Sequence, residues 1–141
     1  MCINPCTLPL HAMNAAPHAS ENQTRYREAL RAAVALLDEA EAAVEPARLS
    51  QALAEVARCH HDAGALSEAD WYARRGLAVA RGLGAADASV DALCTLAELS
   101  LERAQRLDGQ DEPRGAHRLR DAARDHAFEA THLAQRAADS Q

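Results

Sequence analysis

Apolar residues along most of this chain recur at the three- and four-residue steps of a helix face. Tyr26, Leu30, Ala33, Val34, Leu37 and Val44 keep that step. They predict a first helix over about 21–44, opened by a capping box of Ser20 with Gln23 three residues on. Glu45-Pro46 ends it, because the residue before a proline is pushed out of the α region, while Pro46 suits the first turn of the next helix. That second helix runs over 46–63. Gly64 stands where a left-handed C-cap is needed, and Ser67 with Asp70 forms a capping box for a third helix over 67–83. Only Ala65 and Leu66 are left for the turn, so the two helices must form an antiparallel hairpin. The third helix fades at Gly82-Leu83-Gly84. Asp87 or Ser89 caps a fourth over 87–106, with Leu93, Leu96, Ala97 and Leu101 as its apolar stripe. A polar stretch with Gly109 precedes Pro113, which opens a fifth helix over 113–138. Its stripe is weak: Leu119, Ala122 or Ala123, Ala127, Ala130, Leu133 and Ala137, with Phe128 off that line. Pro5, Pro9 and Pro17 among small polar residues make 1–19 a flexible tail in which no stable helix is expected.

The helical pattern repeats itself. Ala52-Leu53 answers Ala92-Leu93, 40 positions on, and Val56-Ala57 answers Leu96-Ala97. Run backward, the same offset carries Glu68-Ala69, Ala73 and Leu77 onto Glu28-Ala29, Ala33 and Leu37. A unit of this period cannot bury its apolar face alone, so copies stack into a solenoid, an architecture used for holding other molecules. The expected fold is all-α, about five antiparallel helices in one domain over 20–140.

Composition narrows this further. Alanine supplies 35 of the 141 residues and all 15 basic residues are arginine. Both are strong helix formers, and so much alanine implies close packing on small side chains. Codons for both are rich in G and C, which suggests a bacterial source. The formal charge is −6 with no basic block, so nucleic-acid binding is not expected. No membrane span or secretory signal is visible. Cys2, Cys6, Cys59 and Cys94 lack CxxC spacing and read as reduced thiols of a cytoplasmic protein.

The chemistry-bearing clusters are sparse. Cys59-His60-His61-Asp62 is the densest group of metal-ligand types, yet successive helical residues point about 100° apart, so both histidines cannot face one ion unaided. Glu129-Ala130-Thr131-His132 matches the Glu-x-x-His element of di-iron bundles, which need two such elements and two further carboxylates. No serine or cysteine stands in a nucleophile-elbow context, and no glycine-rich phosphate loop follows a strand. The reading is of a chain that is not an enzyme and carries no cofactor or metal. The alternative is a small bundle with a metal or small-molecule site at Cys59, His60 and His61 with Glu129 and His132.

The run from Ala52-Leu53 through Val56-Ala57, His60, Gly64, Glu68-Ala69 and Ala73 to Gly76-Leu77 resembles a tetratricopeptide repeat, in the long form found in kinesin light chains. His60 stands where that family usually has tyrosine, Ala73 where it has an aromatic, and Gly76 where it has alanine. The next copy keeps Leu93, Leu96 and Ala97, has Ser100 and Ala104 at the tyrosine and hairpin-glycine places, and aligns its second helix only across an insertion between Arg106 and Ala116. The first helix matches a second helix whose partner is missing. The resemblance implies a right-handed helix-hairpin solenoid whose first helices line a concave groove. It places Gln51, Glu55, Arg58, His61 and Asp62 on that groove from one copy, and Asp91, Cys94, Thr95, Glu98, Leu101 and Glu102 from the next.

Glu55, Asp62, Asp91, Glu98 and Glu102 outnumber Arg58 on that face, which favours a basic or amphipathic peptide. The carboxylate clamp of chaperone-binding members is not expected, since Ala54, Arg58 and Thr95 hold its places. Trp71 beside Tyr72 is a further candidate contact. The function these expectations support is a protein-interaction adaptor or scaffold, which the same fold would also serve as a secretion chaperone or regulator. So short an array is also expected to self-associate or to be stabilised by its partner.

Overall fold

The structure, a computed structural model, describes the backbone over residues 10–141 and side chains from residue 20 onward. Five helices follow one another: α1 (Leu10–Ala43), α2 (Pro46–Asp62), α3 (Leu66–Gly82), α4 (Ala86–Gly109) and α5 (Pro113–Asp139). There is no strand among the described residues. Each helix packs on the next, and α2 also touches α4.

Two elements run longer than the sequence predicts. α1 begins at Leu10, so 10–19 belong to a helix rather than to the expected tail, whose remainder, 1–9, lies outside the described residues. Ala12, Ala15, Ala16 and Ala19 favour the helix, and Pro17 withdraws one N–H from the ladder without ending it. α4 continues past Arg106 to Gly109. The polar stretch before Pro113 therefore lengthens α4 and leaves only a short turn over 110–112.

One turn geometry closes each of the four hairpins. One residue of each turn takes a left-handed conformation: Val44 (φ 52°), Gly64 (75°), Gly84 (65°) and Asp111 (59°). At the second turn Ala65 N–H donates to the His60 carbonyl at 2.9 Å and Gly64 N–H to that of His61 at 2.9 Å. Ala85 and Gly84 repeat this on Ala80 and Arg81. This paired arrangement satisfies carbonyls that a helix end leaves open. Val44, Gly64 and Gly84 stand 20 residues apart, so the 40-residue echo resolves into a spacing of turns. Glycine occupies two of them at no steric cost, while Val44, β-branched and exposed, holds a conformation that valine disfavours.

The predicted side-chain caps do not form. α3 starts at Leu66 from an Ala65 N-cap, and α4 starts from Ala85, neither with a side-chain cap bond. Asp70 turns to Arg74 at 2.7 Å and Arg103 at 3.5 Å instead. Ser89 donates to the Ala85 carbonyl at 2.8 Å, and Ser20, inside α1, has its carbonyl taken by the Thr24 hydroxyl at 3.0 Å. Short turns with a left-handed residue fix the helix starts without them.

The core divides into two clusters joined by Tyr72. One locks α1 to α2 through Ala33, Leu37 and Ala40 against Ala52, Leu53, Val56 and Cys59. The other joins α2, α3, α4 and α5 through Ala57, Ala69, Ala73, Leu77, Leu93, Leu96, Leu99 and Ala130. Ala33/Ala73, Leu37/Leu77 and Leu53/Leu93 are all buried, so these three pairs share burial as well as identity, whereas Ala29 is exposed and its counterpart Ala69 buried. Each fully buried leucine contributes about 1.5–3 kcal/mol. Gly76 rests against Leu53, an alanine's Cβ there lying 3.5 Å from Leu53 Cβ, which marks how closely α2 and α3 approach. On α5 the fully buried residues are alanines seven apart, Ala116, Ala123 and Ala130.

Candidate functional site

The residues assigned to a groove share helix faces on α2 and α4 because they recur at three- and four-residue steps. The structure distributes them over three places. Between α2 and α4 lies a narrow cleft of about 130 Å³ with Gln51, Asp91 and Thr95 at its rim and Ala54, Ala57 and Gly76 in its floor. Small residues make this space, since a larger side chain at 54, 57 or 76 would fill it. Thr95 spends its hydroxyl on the Asp91 carbonyl at 3.0 Å, leaving the Asp91 carboxylate free of any ion pair among the described residues.

At the C-terminal end of α2 the predicted carboxylates are already engaged. Arg58 bonds Glu55 and, at 3.1 Å, Asp62. Its guanidinium holds the Glu55 carboxyl below the usual range, and Glu55 in turn raises Arg58. His61 Nε2 lies 2.8 Å from Glu102 Oε2, joining α2 to α4, and Arg106 reaches the other Glu102 oxygen at 3.5 Å. Arg106 also donates to the Gly64 carbonyl at 3.0 Å. The extended end of α4 is thereby fastened to the α2–α3 turn, a role that sequence reading did not assign to it. Much of the predicted acidity is therefore neutralised within the protein. Asp91 and Glu98 are the groove carboxylates without an ion pair among the described residues.

Cys94 and Glu98 fall elsewhere. They line a shallow, open cleft between α4 and α5 with Val90, Ala97, Ala127 and Thr131. Leu101 is about half exposed (48%). Trp71 is 57% exposed and lines neither cleft. It closes a ladder of rings in which Tyr26 meets His60, His60 stacks on Tyr72 at 5.4 Å, and Tyr72 meets Trp71 edge-on at 4.8 Å. Arg75 covers the indole at 5.6 Å and bonds Glu41 of α1 at 2.6 Å. Among these contacts Trp71 and Tyr72 serve to tie α3 to α1 and α2.

No protein-family model, curated protein or solved structure matches this chain. The chemistry must be read from the geometry. The residues of the alternative metal reading do not converge. Cys59 is buried against α1, and burial pushes its thiol up, away from the reactive thiolate. His60 belongs to the ring ladder and His61 to Glu102. On α5, Glu129 bonds Arg81 and His132 lies against Phe128. Among the described residues no three His, Cys, Asp or Glu side chains gather to hold a metal ion. His126 is held below its ordinary range by burial and by the nearby Arg74. No described helix is long and apolar enough to cross a membrane.

The residues that sequence reading left out of the groove are Ala57, Gly76 and Arg106. A signal for the floor was present: Ala54 and Ala57 stand 40 before Cys94 and Ala97, small residues at matched places on both first helices.

Proposed function

We propose that this chain is a non-enzymatic protein-interaction module of the tetratricopeptide kind. In this reading α2–α3 and α4–α5 are successive units of a right-handed solenoid, and the face shared by α2 and α4 takes an extended segment of a partner protein. The observation that carries it is the cleft between α2 and α4, floored by Ala54, Ala57 and Gly76 and rimmed by Gln51, Asp91 and Thr95. The equal spacing of the Val44, Gly64 and Gly84 turns and the shared burial of Ala33/Ala73, Leu37/Leu77 and Leu53/Leu93 support the repeat. Polar groups converging on an apolar floor orient a ligand, and the free Asp91 carboxylate selects a basic residue. A bacterial setting accords with the alanine-rich composition whose basic residues are all arginine, and a cytoplasmic one with cysteines that lack CxxC spacing.

The test is a titration of a fluorescent, extended arginine-containing peptide library against the chain and its Asp91→Arg and Gln51→Arg variants. Binding should weaken about tenfold or more in each variant, the loss of one well-placed contact. Equal binding by all three proteins would remove the cleft from the proposal.

A further inference from the structure

The cleft between α2 and α4 and the open cleft between α4 and α5 are related by the repeat. Ser50, Ala54 and Ala57 line the first. Their counterparts 40 residues on, Val90, Cys94 and Ala97, line the second. Over the first surface lies a helix: α4 itself, which presents Ala88, Asp91, Ala92 and Thr95 to it and bonds His61 through Glu102. Over the second, no described residue lies. We infer that the α4–α5 edge is a docking surface for an amphipathic α-helix of a partner protein, one that carries arginine or lysine where it meets Glu98.

The chemistry of that helix follows from two of the positions that change over the 40-residue offset. Arg58 becomes Glu98, and His61 becomes Leu101. Glu98 is the one charged residue lining the open cleft, and it has no ion pair among the described residues. The helix that covers it gains by placing a cation there. Where α4 offers Glu102 to His61, the incoming helix must offer an apolar side chain to the half-exposed Leu101. Its central stripe must be small or aliphatic, because Ala97, Ala127, Ala130 and Ala134 leave little relief. A second copy of this chain fits worse, since two-fold pairing would bring two unpaired Glu98 carboxylates into one apolar seam, and like charges there repel. The inference rests on the reading of the hairpins as repeat units and is independent of the α2–α4 cleft.

The test uses Cys94, exposed and lying in the cleft, as a reporter in the full chain. The probe is a peptide of residues 86–109 carrying Cys94→Ala, Glu98→Lys and Glu102→Leu, with a second peptide carrying Cys94→Ala alone as control. With the basic probe at ten times its Kd, alkylation of Cys94 by iodoacetamide, read by peptide mass spectrometry, should slow about tenfold, since about a tenth of the sites are free. The acidic control should protect it far less. Thr131→Arg, an exposed substitution on α5, should remove the protection, and Glu98→Lys should weaken binding about tenfold. Asp91→Arg, on the other cleft, should leave it unchanged. Probe binding without Cys94 protection, equal protection by the acidic control, or indifference to Thr131→Arg and Glu98→Lys would each overturn the inference while leaving the extended-peptide reading intact. A dimer by light scattering that itself protects Cys94 would overturn it by making the second copy the occupant.

Discussion

The α2–α3 and α4–α5 hairpins share a register and differ in what lies over them. α1 closes one side of α2–α3 and α4 the other, so α3 buries Leu66, Ala69, Ala73, Gly76, Leu77 and Ala80. α5 is ten residues longer than α3 yet fully buries only Ala116, Ala123 and Ala130. The difference lies in neighbours more than in propensity, because helical stability in a protein comes chiefly from the packing of an apolar face.

The sharpest way to break this comparison uses two leucines of one helix. Leu96 is fully buried on the covered side of α4, and Leu101 is half exposed. Leu96→Ala should cost about 2–5 kcal/mol, whereas Leu101→Ala should stay within about 0.5 kcal/mol. Urea unfolding measures both, and similar losses would mean that Leu101 is covered in solution. The turns come next. Gly64→Ala should cost about 1–2 kcal/mol, because it puts a side chain in a left-handed conformation, with its Cβ 3.2 Å from Arg106. Val44→Gly should gain about 1 kcal/mol by relieving the same conformation, and Asp111→Gly should do less, since aspartate tolerates it. Losses at Val44 and gains at Gly64 would contradict the turn geometry.

Gly76 sharpens the account of the covered hairpin. Its Cβ would meet Leu53 at ordinary contact distance, so Gly76→Ala should stabilise α3 by about 0.5–1 kcal/mol through the gain in helix propensity, seen as a raised Tm. A lowered Tm would mean that α2 and α3 approach more closely than described. The smallest effect is one of pH. His126 on α5 has its pKa depressed by burial and by Arg74, partly offset by Glu129, Asp70 and Asp125. The unfolded chain therefore binds its proton more readily. The contribution of His126 to stability is present above the unfolded value of about 6.5 and is lost as pH falls through the folded value. His126→Gln should flatten the stability decline between pH 7.5 and 5.5, measured as urea midpoints; an unaltered slope would count against this environment.

Helix number and the bounds at Pro46, Gly64, Gly84 and Pro113 were legible because proline and glycine punctuate the chain there, whereas α1 runs through Pro17 and α4 runs on to Gly109. The caps were not, because Asp70 answers to Arg103 on another helix, a partner that local spacing does not reveal. The site was legible only in part. The repeat resemblance assigned Gln51, Asp91, Cys94, Thr95 and Glu98 to one groove. Which neighbour each faces depends on the seating of α5, and alanines spaced by seven gave too weak a stripe to set its register. Charge counting on the groove left out Arg106, at the expected end of α4, which reaches Glu102 one turn back.

Hydrogen exchange along the chain tests the central contrast most directly. In the free protein, α5 amides should exchange faster than those of α3, the more deeply buried helix, and should slow toward the α3 rate when the basic helical probe is added. An α5 that already exchanges as slowly as α3 in the free monomer, and does not respond to the probe, would contradict the claim that its edge stands open for a partner.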